Sequence, residues 1–526
     1  MSASDDNRGR QTGRDAGAER RRKAAETAEQ ERKQGRRIAY GFLSIVLVLG
    51  VLTILVNTNI LNHSLAAVTI DGDKYSATDF NFFYNTEYTR FANDMGDYLS
   101  YYIDTSKPLK SQECVFEPGT TWDDYFTNAA ISSMKQVTML SRMAKTANFT
   151  LPEEYYTEID SIIESLNTYY AIYGYPNVKS FIAANYGKGA TEKTLRAMLE
   201  KAYLSSAYAA ELQSAYEYTP EQLAEWYDEH RNEYDIISYR IQSVYADMDG
   251  VPEVNVDPGL EPDPDEVAAH DEAVAERLAE ARERAQAFLD AGSEDEFKAL
   301  AFNSLDEEDQ EYYADNDFTL VKVKGSSLYE DEGIADWLLE LSRKPGETAI
   351  FEYDWGYDVA YFVEREGNDY ELVNIRHILI KPESTELFPE QFLEEAKEKA
   401  EGILETWKAG DATEESFAEL ANELSEDTGS NTKGGLYEKV AKGQMVPEFN
   451  DFCFEPGRKP GDTGIVYGES SSYKGYHVMY YSGTAGVYRD LIAKSLLSSE
   501  DYSEWESAEL EKMPEPVTGF AMRLTK

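Results

Sequence analysis

The sequence predicts an α+β multidomain chain: a transmembrane helix, a mostly α domain, two tandem α+β units and a C-terminal helix. Three observations predict it. The 526 residues are too many for one core and suit about three or four units. Nineteen residues without a charge run from Ile38 to Val56. Further on, a pattern of about 110–130 residues occurs twice. With 42% apolar and 28% charged residues, collagen, low-complexity and disordered classes are excluded for most of the length.

The uncharged run would span about 29 Å as a helix, one hydrocarbon core. Residues 1–37 before it carry eleven Lys and Arg against seven Asp and Glu, with Arg36 and Arg37 abutting the run. The positive-inside rule then puts residues 1–37 in the cytoplasm as a largely disordered tail. It makes 38–56 a single span and everything beyond extracytoplasmic. A cleaved signal peptide is the alternative, but its apolar region is shorter, about 7–15 residues, with small residues close behind. Here Ser64-Leu65-Ala66 is the nearest such site.

Residues 66–235 read as a helical domain. Ala66–Tyr75 is a short strand or hairpin turning at Asp71-Gly72. Trp122 to Ala147 then repeats Tyr125, Ala129, Ile131, Met134, Val137 and Leu140 at helical steps. Glu154–Asn167, Asn177–Asn185 and Glu192–Tyr216 behave similarly, and Thr219-Pro220 starts a further helix. A helical face rich in Tyr and Met is ordinarily core.

The repeat follows, as units at 236–366 and 372–484. LLELSRKPGET at 338–348 echoes CFEPGRKPGDT at 453–463. Trp355-Gly356-Tyr357-Asp358-Val359 echoes Lys474-Gly475-Tyr476-His477-Val478, and Arg240-Ile241 echoes Arg376-His377. Each unit reads strand, three helices, two strands. Residues 486–526 hold an amphipathic helix and a possible strand. Its stripe of Leu491, Ile492, Leu496 and Leu497 needs a partner, for which the helical N-terminal domain is the natural candidate.

Charge and scarcity narrow the chemistry. A formal net charge of −49 is wrong for nucleic acid, which rewards clustered Lys and Arg. Two cysteines, Cys114 and Cys453, make neither a disulfide framework nor a four-Cys zinc site, and read as two buried thiols. Asp247-Met248-Asp249-Gly250 lacks the remaining ligands of a calcium loop. Of five histidines, two fall in apolar strands of the second unit: His377 in Val373–Ile380 and His477 in Gly475–Tyr481. Alternation puts His377 on one face with Ile375 and Leu379. A lone histidine there is usually a satisfied core residue; two in one small unit are less usual. Between them lie an acidic turn, Ser425-Glu426-Asp427-Thr428-Gly429-Ser430, and a Gly-led turn into a helix, Gly443-Gln444-Met445-Val446-Pro447-Glu448-Phe449.

These segments, with Phe417-Ala418-Glu419-Leu420-Ala421, Lys433-Gly434-Gly435 and Gly475-Tyr476-His477, resemble the parvulin-type peptidyl-prolyl isomerases over about 110 residues in order. The whole chain resembles the membrane-anchored extracytoplasmic foldases of the PrsA and SurA type. The resemblance implies paired buried histidines, His377 and His477, with Asp427 at the central catalytic position. It implies a proline pocket at Met445 and Phe449, and a helical, SurA-like chaperone domain at 66–235. One stretch departs: Leu436-Tyr437-Glu438-Lys439-Val440 stands where the family has Asp-Leu-Gly and an aromatic. Lys381-Pro382-Glu383-Ser384 has one Lys, too little to read a phosphorylated substrate.

The implied reaction suits these residue types. Rotating an X–Pro bond breaks amide resonance, a barrier of about 18–20 kcal/mol. No bond is made, so it needs no nucleophile, metal or cofactor. In the first unit the repeat aligns Ile241 with His377, Glu307 with Asp427 and Asp358 with His477, a degenerate copy that keeps the fold without the site. The expected function is isomerisation of X–Pro bonds in unfolded or newly translocated polypeptides. A non-catalytic holdase with a relic isomerase domain is the alternative, and a structural envelope protein a third.

Overall fold

Asp71 (φ 46°) and Gly72 (φ 88°) both take the left-handed backbone that a tight two-residue hairpin requires, and the chain's first strands form around them. The computed structural model describes residues 43–44, 46–48, 60–254, 261–314, 316–328, 332–383, 389–471 and 473–525. The tail at 1–37 and nearly all of the expected span 38–56 lie outside these residues. Among the described residues, no helix is long and apolar enough to cross a membrane. Contacts divide the chain into two units. One joins residues up to Tyr216 with Ser499–Lys526; the other is Glu217–Ser498.

The first unit is a helical body beside a small sheet. Strands β1 (Ala66–Ile70) and β2 (Asp73–Ser76) form the hairpin. Helices follow at Ala77–Met95, Trp122–Thr146, Glu153–Tyr169, Val178–Tyr186 and Glu192–Ser214. Ser76, Thr121 and Thr191 each begin one by accepting the backbone N–H three residues on. Trp122, Phe126 and Met134 on one helix meet Phe80 and Phe83 on another, all buried.

The second unit holds two modules with the same topology. The first has β3 (Ile236–Tyr245), β4 (Leu320–Lys324), β5 (Thr348–Tyr353) and β6 (Gly356–Glu366), in the sheet order β4-β3-β6-β5. The second has β7 (Glu371–Ile380), β8 (Leu436–Val440), β9 (Thr463–Glu469) and β10 (Lys474–Val487), in the order β8-β7-β10-β9. All pairs are antiparallel. In both, a buried Phe and Ala on the second helix, Phe297 and Ala301 or Phe417 and Ala421, cover one sheet face. In both, a strand Arg grips the glutamate that opens that helix: Arg240 Nε to Glu294 at 2.9 Å, Arg376 Nε to Glu414 at 2.8 Å. Aligning the arginines puts Ile241 at His377. Tyr361 faces Arg240 as Tyr480 faces Arg376, so Asp358 stands at His477. Asp358 accepts the Ser243 hydroxyl at 2.6 Å, and Glu307 is exposed.

Three expectations need correction. Each module has four strands, not three. The missed ones, β4 and β8, are five-residue edge strands; β8 is broken from simple alternation by a register shift and by Lys439 at φ 55°. Second, the helical domain does not extend to 235. The Pro220–Glu229 helix belongs with the second unit, where Leu223, Trp226 and Tyr227 are buried and the Tyr227 hydroxyl bonds Asp235 and Asn368. Third, the C-terminal helix, Tyr488–Lys512, does meet residues of the expected 66–235 domain, but its stripe meets the part that belongs with the second unit. Ile492, Leu496 and Leu497 pack with Leu223, Trp226 and Tyr227 in the second. It is the later residues, Trp505, Leu510 and Met513, that join Met139, Leu140 and Tyr208 in the first. Beyond them, strand β11 (Val517–Thr518) pairs with β1, and Ala521 enters the main core.

A chain ending at Ser498 should therefore lose stability in the first unit by several kcal/mol, at about 1.5–3 kcal/mol per large side chain removed from the core. Amide exchange of the Trp122–Thr146 helix would report it. Full protection there after truncation would contradict the account.

Candidate active site

β7 and β10 run antiparallel with His377 opposite Met479 and His477 opposite Leu379. The two histidines are thus diagonal neighbours on one face, the relation that lets side chains on adjacent strands meet. Val373, Ile375, Met479 and Tyr481 share this face, which the Pro447–Phe454 helix covers; the long helices cover the other. The imidazoles stack with centroids 5.1 Å apart at 22°, and their Nδ1 atoms are 2.9 Å apart. Both residues are buried, at 3% and 2% exposure.

Asp427 reaches the pair from a loop pinned to β7. The Glu426 N–H donates to the Leu379 carbonyl at 2.9 Å, and the Leu379 N–H donates to the Ser425 hydroxyl at 3.1 Å. His377 Nε2 then lies 2.9 Å from Asp427 Oδ2. The Ser430 hydroxyl donates to the same oxygen at 2.5 Å, and the Gly429 N–H donates to Oδ1 at 3.2 Å. Phe449 sets its edge against both imidazoles, 5.4 Å from each. Pro447 at the first position of its helix presents it there. Two glycines make the room. A Cβ on Gly435 (φ +68°) would lie 2.2 Å from the His377 carbonyl oxygen, and one on Gly468 would lie 2.7 Å from His477 Nε2.

A cleft of about 280 Å³ opens onto this group. Leu379, Met445, Val446 and Phe449 give it apolar walls; His377, His477, Asp427, Tyr437, Tyr473, Gln444 and Lys381 give it polar ones. All five residues singled out in the sequence therefore line one cleft. Three neighbours were not singled out: Ser430, Tyr437, whose hydroxyl is 3.0 Å from Asp427 Oδ2, and Tyr473, whose hydroxyl is 3.2 Å from His477 Nε2. Ser430 ends the Asp427 turn, Tyr437 lies on β8 and Tyr473 just before β10, and nothing in the sequence marks any of them as a partner. Among the described residues, no cluster of His, Cys, Asp or Glu could hold a metal. Cys453, one turn further along the Phe449 helix, has its thiol pushed up to about 12 by burial.

The electrostatics are polarised. The His377 hydrogen bond, with help from Ser430 and Gly429, holds the Asp427 carboxyl well below the usual range, although burial opposes this. Burial first, and the His377 ring second, push His477 down to about 3. An unfolded chain takes up a proton on His477 below about pH 6.5, the folded one only near pH 3. The folded module accordingly loses stability as the pH falls through that window and has this contribution in full above it. With five histidines in the chain, selective labelling can follow each. The His477 ring resonances should stay unchanged from about pH 8 to 4.5; a midpoint near 6.5 would show that burial does not govern this ring.

The comparisons with known proteins agree with this geometry. The family model described as the PPIC-type PPIASE domain matches residues 357–481. Chaperone SurA of Pseudomonas syringae pv. syringae (strain B728a) is 30% identical over 159 residues, 28% of this chain and 34% of SurA. Foldase protein PrsA 3 of Bacillus cereus is 34% identical over 107 residues, 20% of this chain and 30% of PrsA 3. The chain spans about a third of the length of these curated relatives. A solved peptidylprolyl isomerase (PrsA) from Bacillus anthracis is 24% identical, with 28% of this chain and 61% of that chain covered. Its TM-score of 0.18 is too low to carry an argument. Residues 357–481 thus carry a PPIC-type, parvulin-class peptidyl-prolyl isomerase domain, and over part of its length the chain is homologous to the SurA chaperones and PrsA foldases.

Proposed function

We propose that this protein is a membrane-tethered extracytoplasmic foldase that isomerises X–Pro bonds in unfolded or newly translocated polypeptides and binds them as clients. One observation carries the reading: His477, His377 and Asp427 stand in line behind a cleft walled by Met445 and Phe449. The proline ring sits against Met445 and Phe449, away from water. Twisting the amide removes its charge-separated resonance form, so an apolar site favours the twisted state over the planar one. Asp427, held ionised, stands beside the prolyl carbonyl. As that oxygen loses negative charge on twisting, its repulsion from the carboxylate falls, and the barrier falls with it. His377 and His477 act by orienting Asp427.

The tether rests on the uncharged run 38–56 and its basic flank, and client binding beyond the cleft on the likeness to SurA and PrsA. In the first module, Ile241 and Asp358 leave no such line, and its role is to bind clients or space the chain.

Replacing His377 or His477 by Ala should slow isomerisation of a non-phosphorylated X–Pro peptide at least about tenfold, roughly 1.4 kcal/mol of barrier. Changes at Ile241 and Asp358 should leave the rate alone. Undiminished activity in both histidine variants would remove the pair from the mechanism, and no activity in the unaltered chain would favour a holdase with a relic site. Protease added to intact protoplasts or spheroplasts should digest the chain beyond Val56 and spare 1–37; protection of the whole chain would reverse the topology.

A further inference from the structure

We propose that Tyr437 is a positioning residue for the isomerase reaction: its hydroxyl holds the His377–His477 pair to one order of protons, with Tyr473 closing the opposite end. The inference rests on the isomerase reading above and adds to it a residue that stands where the sequence leaves its family's pattern.

Tyr437 lies on β8, opposite Ile375. Its ring is 5.4 Å from that of His377, and it lines the cleft across from Met445 and Phe449. The fit is made from both sides. The Gly435 carbonyl accepts the His377 N–H at 2.9 Å, which seats β8 against β7. A Cβ on Gly429 would stand 3.0 Å from the Tyr437 hydroxyl oxygen. Burial and the Asp427 charge push the Tyr437 phenol up to about 12, so it keeps its proton and donates.

Asp427 Oδ2 then receives three donors: the Ser430 and Tyr437 hydroxyls and His377 Nε2–H. With one proton on each ring, the chain of bonds has two possible directions. In the first, His377 carries its proton on Nε2 and donates to Asp427. Its Nδ1 accepts from His477 Nδ1–H, and His477 Nε2 accepts from the Tyr473 hydroxyl. In the second, both ring protons are on the other nitrogens. A bare His377 Nε2 then faces the carboxylate at 2.9 Å, and is relieved only by a proton on Asp427 or by the Ser430 hydroxyl, 3.1 Å away, turning from Oδ2 to Nε2. Every donor added to Oδ2 favours the ion, and so the first direction. The other charged groups near the cleft are Lys381 on its rim, Glu426, which accepts the Lys381 N–H, and Glu448 by Tyr473; no hydrogen bond joins any of them to the Asp427 carboxylate among the described residues. Without the Tyr437 donor, the anion that the twisting carbonyl needs beside it is easier to neutralise.

The first module supplies an internal contrast. Tyr239 aligns with Ile375, and its partner on the edge strand is Val321. Tyr473 aligns with Asp354, one residue before the Trp355 that matches Lys474. Where the two histidines are gone, both phenols are gone too.

The test uses the full chain, an X–Pro peptide, and nitrogen-15 spectra of the labelled histidines. In the unaltered protein, His377 should be protonated on Nε2 and His477 on Nδ1. Tyr437→Phe keeps the wall and removes the donor. It should lower kcat roughly five- to tenfold with KM within about twofold, and move the acid limb of kcat/KM to higher pH. It should also shift both rings toward mixed tautomers. Tyr437→Leu should raise KM as well. Unchanged tautomers, kcat and acid limb in Tyr437→Phe would overturn the proposal. Should that variant fail to fold, Tyr437→Leu, which also lacks the donor, must move the spectra in the same direction; if it does not, the proposal also fails. The spectra read the proton order whether or not the chain isomerises. An inactive chain with the expected tautomers therefore sinks the isomerase reading alone.

Discussion

Two imidazoles buried on one sheet face are each expensive, since a polar ring taken from water without a partner costs several kcal/mol. Here each answers the other, through Nδ1 atoms 2.9 Å apart, and the rest of the catalytic module is arranged around that contact. It exists only in the observed register, with His477 opposite Leu379. A slip by one residue would turn either histidine into the helix-packed face with Ile378 and Val478. Gly435 and Gly468 are fixed by the space the pair takes, and Phe449 by the edge it sets against both rings. The Asp427 loop is tied to the strand carrying His377 itself, so carboxylate and imidazole move as one body.

The two modules separate what the frame needs from what the chemistry needs. Arg240 and Arg376 hold equivalent glutamates on one side of their sheets, and Phe297 and Phe417 fill equivalent places beneath the helices. These are kept. The differences gather on the opposite face: Ile241, Asp358, Val321 and Asp354 for His377, His477, Tyr437 and Tyr473. A sheet with one face given to packing and the other to a cleft can lose the second without losing the first.

How much of this could be read from the sequence follows from how local each signal is. His377, Met445, Phe449 and His477 sit in short motifs whose strand alternation or helix start is legible on its own. Asp427 lies in a turn legible by its composition, but its place beside the histidines came from the resemblance to the parvulins. Tyr437, Ser430 and Tyr473 were not legible: Ser430 ends the same turn with no mark of its partner, and Tyr437 on β8 and Tyr473 before β10 reach the site only in the folded chain. The edge strands β4 and β8 are too short and too irregular to show a period. The stripe on the last helix announced that it needed a partner. It could not announce that the helix leaves one unit at Ser498 and enters the other at Ser499, since both halves are equally amphipathic.

The pairing of β11 with β1 has a consequence for timing. Val68 and Thr518 are partners separated by roughly 450 residues, so this contact closes late and slowly. A chain that emerges N-terminus first presents the β1–β2 hairpin without its third strand, and the Trp122–Thr146 helix without Trp505 beside it, until almost all the rest has appeared. The modules of the second unit have their own cores and can be complete by then. The helical unit is begun before the two modules and closed after them, so its sheet and its core wait on residues made once both modules are out.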